Sequence, residues 1–356
     1  MNGITVLITG CGAPGTIGTI WSLNQNKDNR SIRTIGTDVR DEQPGRFVCD
    51  EFHKVPPADS PNFVDELLSI CDSEDVDVVL PQVTAELQHL SESRDRFASV
   101  GTEIAISNKQ SVEQANSKKR LTDLCGQLGI PSPDNQIVRT WSQLRKAASS
   151  LGYPENPVVV KPPISNGQRG FRIITEDMEN QHRFYEKKPD GTKISMQQLH
   201  AVLGDSFPEL LVMEYLPGEE LSVDVFRNED QTVPIPRSRD RVRSGISFQT
   251  TIKRDTEIIS YVQDLSEEID LQYVFGFQFK RREDGTPVIL ECNPRIQGTM
   301  VASTVAGSNL IYAAVKEAIG ETQLEFGTNW GSKFYRYWGG IGKNRGHPFD
   351  NIGEIE

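Results

Sequence analysis

The feature that most narrows the fold is an alternation of short apolar runs with helix-compatible stretches from Ile4 to Ile106. Ile4–Thr9 reads ITVLIT, a continuous apolar run of the kind buried on both faces of a parallel sheet. A helix through Leu23 follows, then a strand at Thr34–Thr37 that ends at Asp38. A helix at Phe63–Cys71, a strand at Val76–Leu80, a helix near Glu86–Phe97 and a strand at Glu103–Ile106 complete the series. Strands joined through helices are too far apart in sequence for hairpins, so they must run parallel. The expectation is a doubly wound α/β sheet.

Between the first strand and its helix, Gly10, Gly12 and Gly15 spell GxGxxG. That spelling suits a dinucleotide pyrophosphate held on backbone N–H groups, with an acidic residue after the second strand for the ribose. Two features weigh against it. Asp38 lies further along than the usual ~20 residues, and Pro14 removes one N–H donor. An NAD(P)-dependent oxidoreductase stays open as an alternative. Tyr312 and Lys316 have the YxxxK spacing of some dehydrogenases, but they lie far down the chain and read as packed helix residues.

Composition excludes several classes. The net charge of −12 disfavours a general nucleic-acid binder. No apolar run approaches the ~20 residues of a membrane span, and the N-terminus has no signal-peptide order. The 5 cysteines are scattered, without CxxC spacing, and read as reduced thiols of a cytoplasmic protein. The 5 histidines form no pair at metal-ligand spacing.

Beyond the first sheet, a helix over Ser111–Leu128 carries Lys118, Lys119 and Arg120, either as a solvated face or as cations for a phosphate. Val158–Val160 then leads to Lys161, at the end of an apolar strand where an ammonium group needs an anionic partner. The loop Ser165-Asn166-Gly167-Gln168-Arg169-Gly170 offers backbone donors beside it, and a strand follows at Phe171–Thr175. This is a strand–loop–strand phosphate grip and not a P-loop. Leu210–Leu216 is another apolar strand, running through Glu214-Tyr215-Leu216 into Pro217-Gly218 and Glu219-Glu220. A strand entering a turn can offer main-chain groups to adenine, and a carboxylate beyond it can accept from ribose hydroxyls. Arg237, Arg239, Arg241 and Arg243 alternate, so a single strand would place all four on one face, suited to a carboxylate or phosphate.

Val274–Arg295 reads as a β-hairpin about Asp284-Gly285, taken as a two-residue type I′ turn. Counting outward pairs Glu283 with Thr286 and puts Gln278 opposite Glu291. Phe275, Phe277, Phe279, Val288, Leu290 and Cys292 then share an apolar face; Gln278, Glu291, Asn293 and Arg295 share the polar one. Oxygen ligands beside a guanidinium suit a hard cation and a phosphate.

The ordered set of a strand–helix domain, a lysine before GIP, VVVKP with its loop, MEYLPGEE and ECNPR resembles the ATP-grasp superfamily. It is most similar to the carbamoyl-phosphate-synthase-like and pyrrolysine-biosynthesis-ligase-like branch. The resemblance implies a Rossmann-like pre-ATP-grasp domain over 1–112 and a two-lobed α+β ATP-grasp domain over 113–325. The smaller flap lobe would span about 135–215, and the tail 326–356 would pack on the ATP-grasp domain. Lys118 and Lys161 resemble the two basic residues on the ATP phosphates, and Ser165, Asn166, Gly167 and Gly170 resemble the flap over the phosphates. Glu214, Tyr215 and Leu216 resemble the adenine hinge, and Glu220 the ribose carboxylate. Gln278, Glu291 and Asn293 resemble the Mg²⁺ ligands, with Mn²⁺ as an alternative ion. Many relatives have an acid at the position of Gln278, which leaves the metal count open. Arg295 resembles the residue that stabilises the transition state, with Arg241 and Arg243 beside it.

The function implied is ATP-dependent ligation of a small carboxylate, such as an amino acid, to an amine through an acyl phosphate. The alternatives are synthase-like phosphorylation of a small carboxylate, the oxidoreductase above, and a non-catalytic nucleotide-binding protein. The partners expected are small molecules and a second copy of the chain, joined through the first domain. Neither nucleic acid nor membrane is expected.

Overall fold

In the computed structural model, the residues described are 3–163, 170–177, 185, 191–243, 245–321, 324–337, 339–341 and 351–352. They form two compact units. Unit 1 comprises Met1–Ile130, Glu220–Phe279 and Glu291–Glu356; unit 2 comprises Pro131–Glu219 and Lys280–Leu290.

The first part of unit 1 contains β1 (Ile4–Ile8), α1 (Thr16–Asn24), β2 (Ile32–Asp38), β3 (Glu51–Lys54), α2 (Phe63–Ser73) and β4 (Val78–Leu80). It continues with α3 (Leu87–Glu92), α4 (Arg94–Ala98), β5 (Glu103–Ile104), α5 (Lys109–Asn116) and α6 (Lys118–Leu128). The strands form one parallel sheet in the order β3-β2-β1-β4-β5. The expected doubly wound sheet is therefore present, with β3 as an added edge. The expected helix over Ser111–Leu128 is two helices, because Ser117 caps the second by accepting from Arg120 N–H at 3.3 Å.

Unit 2 is built on the sheet β6-β10-β7-β8-β9. Its strands are β6 (Asn135–Thr140), β7 (Val158–Lys161), β8 (Arg172–Ile174), β9 (Lys193–Ile194) and β10 (Ser206–Glu214). Helices α7 (Trp141–Ser150) and α8 (Met196–Leu203) each begin with a reciprocal capping box, on Thr140 and Ser195. Their apolar faces close the core on Val138, Leu144, Val158, Val160, Ile174, Leu199 and Val212.

The chain then supplies β11 (Glu220–Arg227), β12 (Thr232–Ser238), β13 (Arg241–Arg243), β14 (Ile246–Thr251), α9 (Thr256–Glu268), β15 (Tyr273–Arg281) and β16 (Pro287–Asn293). Helices α10 (Val301–Val305) and α11 (Leu310–Ala318) and strand β17 (Lys333–Tyr335) follow. One sheet has the order β12-β11-β15-β16 and another β13-β14-β17. The core of unit 1 is shared: Ile4, Val6 and Ile8 of β1 cluster with Phe226 and with Leu310 and Ile311 of α11. Tyr312 and Lys316 both hold Asp28 Oδ2 at 3.0 Å, which gives the YxxxK spacing a packing role.

Two details of strand geometry differ from expectation. Arg282 N–H bonds the Thr286 carbonyl at 2.9 Å, and Gly285 N–H bonds the Arg282 carbonyl at 3.1 Å. With Gly285 at φ +89°, the loop has three residues, a type I turn closed by a glycine bulge. The pair flanking the turn is Arg282–Thr286 and not Glu283–Thr286. Phe275, Phe277 and Phe279 are buried as expected, but Ile289 is buried in place of Leu290. The four arginines do not share one strand either: β12 ends at Ser238 and β13 begins at Arg241 in another sheet.

Candidate active site

Each unit holds part of the expected residue set. In unit 1, Glu291, Asn293 and Arg295 lie at alternate positions at the end of β16 and just beyond it. Asn293 Nδ2 donates to Glu291 Oε1 at 3.0 Å, which turns the amide oxygen away from that carboxylate. Arg295 is fixed by Nε to Thr84 Oγ1 and by Nη1 to the Ile296 carbonyl, both at 2.9 Å. Burial lowers the Arg295 pKa, while the charge of Glu291 raises it. An arginine does not shed its proton in a protein, so this desolvated cation favours an anion beside it.

Unit 1 also holds a buried network that sequence reasoning missed. Arg237, 1% exposed, meets Asp224 and donates through Nη2 to Gln297 Oε1 at 2.9 Å. Asp224 Oδ2 also accepts from Ser303 Oγ at 2.8 Å. Arg239 lies with Nε 2.7 Å from Glu220 Oε1 and donates to the Gly245 carbonyl at 2.9 Å. Burial lowers its pKa, Glu220 raises it, Arg237 lowers it and Glu291 raises it. Arg241 and Arg243 are exposed on β13. The arginine stripe is thus a buried, acid-paired half and an exposed half. A signal was available for the buried half: Asp224 stands between Val223 and Val225 in an otherwise apolar run, and a buried carboxylate demands a cation.

Gln278 is half-buried between fully buried Phe277 and Phe279. Lys118, at the first turn of α6, is half-buried and forms no ion pair among the described residues. Its neighbours are neutralised nearby, Lys119 by Asp123 at 2.6 Å and Arg120 by Glu113 at 3.8 Å.

In unit 2, Lys161 ends β7, opposite Leu211 in the sheet register. Gly170 has φ +73°, and a Cβ there would lie 2.6 Å from Pro162 Cδ, so only glycine fits. Ser165, Asn166 and Gly167 lie outside the described residues. The Glu214 side chain is taken by Arg282, at 3.0 Å to Nε and 2.6 Å to Nη2, and by the Asp134 N–H at 3.0 Å. Tyr215 has Lys280 Nζ 5.5 Å from its ring centroid, and Leu216 is buried. Gly218 N–H bonds the Arg281 carbonyl at 3.0 Å, which fixes the turn after this strand.

Three donors of the glycine loop are occupied internally. Gly12 N–H bonds Asp38 Oδ2 at 2.8 Å, Cys11 N–H bonds the Thr37 carbonyl, and Ala13 N–H bonds the Gly10 carbonyl. A Cβ on Gly15 would stand 2.9 Å from Gly298 Cα, and one on Gly18 3.0 Å from Val301. Those two glycines serve close packing within unit 1. The acidic residue that would meet a ribose fills the loop itself, which argues against dinucleotide binding.

Comparison with known proteins places this geometry among related domains. Residues 206–332 match the family model described as ATP-grasp in the biosynthetic pathway with Ter operon, and residues 6–105 match the PylC-like N-terminal domain. The chain carries an ATP-grasp domain behind a PylC-like N-terminal domain. The ATP-grasp match includes Glu214 and every unit 1 residue from Glu220 to Arg295 described above. The chain is 25% identical over 316 residues to the arginine-specific large chain of carbamoyl phosphate synthase from Halalkalibacterium halodurans, covering 85% of this chain and 27% of that one. It spans about a quarter of the length of the curated relatives it matches. Among solved structures it resembles N5-carboxyaminoimidazole synthetase from Staphylococcus aureus complexed with ADP, at TM-score 0.67 and 18% identity, covering 92% and 80% of the two chains. It also resembles the biotin carboxylase domain dimer of Hydrogenobacter thermophilus 2-oxoglutarate carboxylase with MgADP and bicarbonate, at TM-score 0.64 and 16% identity, covering 94% and 74%. At these identities the structural likeness shows the fold alone.

The donor set beside Arg295 is compatible with the Mg²⁺ that an ATP-grasp domain implies. Glu291 offers a carboxylate and Asn293 an amide oxygen, hard donors suited to an ion that keeps water and phosphate in its shell. Among the described residues, no group of three or more His, Cys, Asp and Glu could hold a metal by itself. No helix of the described residues is long and apolar enough to cross a membrane.

Proposed function

We propose that the protein is an ATP-dependent ligase that joins a small carboxylate to an amine through an acyl phosphate, releasing ADP and phosphate. The observation that carries this reading is the Glu291–Asn293–Arg295 constellation, an anion, an amide and a desolvated guanidinium held together in an ATP-grasp domain. The substrate carboxylate attacks the γ-phosphorus of ATP, and the bond to the ADP oxygen breaks. The amine then attacks the acyl carbon, a C–N bond forms, and phosphate leaves.

Glu291, Asn293 and Gln278 would hold Mg²⁺, which when bound offsets negative charge on the nucleotide phosphates. Lys161 and Lys118 would bind those phosphates, with Ser165, Asn166, Gly167 and Gly170 as the flap. The backbone of Glu214–Leu216 would meet adenine, and Glu220 the ribose. Arg295 would neutralise the oxyanion formed on amine attack, and Arg241 and Arg243, exposed on β13, would hold the substrate carboxylate. In this reading the ATP-grasp domain spans 113–325, the domain before it pairs two copies, and the enzyme works on cytoplasmic metabolites.

The test is a screen of purified protein with Mg-ATP against pooled amino acids and amines. ADP should appear only with the right carboxylate present, and Glu291→Ala should abolish it. ATP cleaved to AMP, or a fully active Glu291→Ala variant, would overturn the assignment.

A further inference from the structure

We propose that Cys11 and Cys49 form a reversible oxidation site, closing to a disulfide that ties the glycine loop to the segment between β2 and β3. Their Sγ atoms lie 3.9 Å apart although 38 residues separate them in sequence. A disulfide bond measures about 2.05 Å, so closure asks the two sulfurs to approach from contact to bonding distance.

The backbone at both cysteines is already held. Cys11 N–H bonds the Thr37 carbonyl at 2.9 Å, and the Cys11 carbonyl accepts Gly45 N–H at 3.2 Å. Cys49 N–H in turn bonds the Gly45 carbonyl at 3.0 Å. Gly45 thus anchors both cysteines, and side-chain rotation is the movement left for closure. Two glycines make the space for the pair. A Cβ on Gly36 would stand 2.8 Å from Cys49 Sγ and 3.2 Å from Cys11 Sγ, and one on Gly45 only 2.1 Å from Cys11 Cβ. Any side chain at either position would displace a thiol.

The two thiols differ in access, and this orders the chemistry. Cys11 is fully buried and its thiol donates to the Ile8 carbonyl at 3.1 Å, whereas Cys49 is half-buried. The hydrogen bond with Cys49, then burial, push the Cys11 thiol well above its ordinary range. Cys11 therefore waits as the neutral partner, and Cys49 meets the oxidant first. With a small-molecule disulfide as oxidant, the Cys49 thiolate attacks one sulfur of the reagent and expels the first thiolate. Cys11 then gives up its proton and attacks Cys49 Sγ, expelling the second. Each step breaks one S–S bond and forms another. Both cysteine protons leave, and the reagent ends as two thiols carrying the two electrons. Burial raises the other three cysteines, Cys71 and Cys125 to about 12 and Cys292 likewise upward, which keeps them out of the exchange. The site does not depend on the ligase reading.

The experiment incubates the native full chain with oxidised glutathione, blocks the remaining thiols with N-ethylmaleimide in urea, and maps tryptic peptides by mass. The peptides ending at Lys27 and Lys54 each hold one cysteine. They should appear joined, at their summed mass less two hydrogens, and dithiothreitol should separate them. Cys71, Cys125 and Cys292 should all carry the maleimide. In Cys11→Ser, Cys49 should keep a glutathione adduct; in Cys49→Ser, Cys11 should remain a free thiol. Maleimide on all 5 cysteines of the treated parent protein overturns the site. So does a lasting glutathione adduct on its Cys49, or a cross-link from Cys49 to any other cysteine.

Discussion

Arg237 meets Asp224 through two bonds, Nε to Oδ2 at 2.8 Å and Nη2 to Oδ1 at 3.1 Å, with side chains 2% and 0% exposed. Removing one member leaves the other charge buried alone. Asp224→Ala should therefore destabilise unit 1 by about 3–5 kcal/mol, read as a lower urea midpoint. The double variant Asp224→Leu with Arg237→Met should lose less than either single change. Additive losses would show that the pair is not coupled.

Glu86 gives a stability dependence on pH with a definite sign. Its folded pKa of about 7 stands above the ordinary 4.5, so the folded state keeps a proton that the unfolded state has lost. The stabilisation from this group is full below about pH 4.5 and is lost as pH rises through about 7. Over that window the loss is on the order of 3 kcal/mol. Glu86→Gln should flatten this part of the profile, so its stability relative to the parent protein improves from pH 5 to pH 8. Parallel profiles in urea melts would contradict the assignment.

Gly15→Ala places a methyl group 2.9 Å from Gly298 Cα and 3.2 Å from its carbonyl oxygen. Backbone cannot rotate aside, so the variant should lose about 1–3 kcal/mol. Gly18→Ala meets the side chain of Val301 at 3.0 Å and should lose less. Equal melting temperatures for the two variants would remove the contrast.

Asn293→Ala takes away the amide that meets Glu291 at 3.0 Å. The proposed ADP release should fall about 10–100-fold, the usual cost of losing a group that orients a ligand, while the urea midpoint stays the same. An unchanged rate would place Asn293 outside the machinery.

The sheet of the first domain was legible because its inner strands are continuous apolar runs, as at Ile4–Ile8 and Val78–Leu80. Strand β3 was not, since EFHK at an edge has no apolar signature. Val301–Ile319 has no proline and a helix-compatible pattern throughout, but Gly307 at φ +95° separates α10 from α11. The hairpin was legible as a hairpin, yet Asp-Gly served both a two-residue and a three-residue loop, so the residues flanking the turn were placed one position off.

The site divides in the same way. Glu291, Asn293 and Arg295 stood out because strand spacing alone makes them neighbours. The Arg237–Asp224–Gln297 network joins positions far apart in sequence, so only the fold brings it together.

Strands β15 and β16 each begin in one unit and end in the other, and their turn closes unit 2. During synthesis, Pro131–Glu219 has emerged long before Lys280–Leu290 can join it, and Met1–Ile130 waits longer for Glu291 onward. At about 5–20 residues per second, each unit spends seconds on the ribosome as an incomplete fold. The nascent chain then needs protection over those seconds, and truncations before the hairpin should yield chaperone clients in place of separable domains.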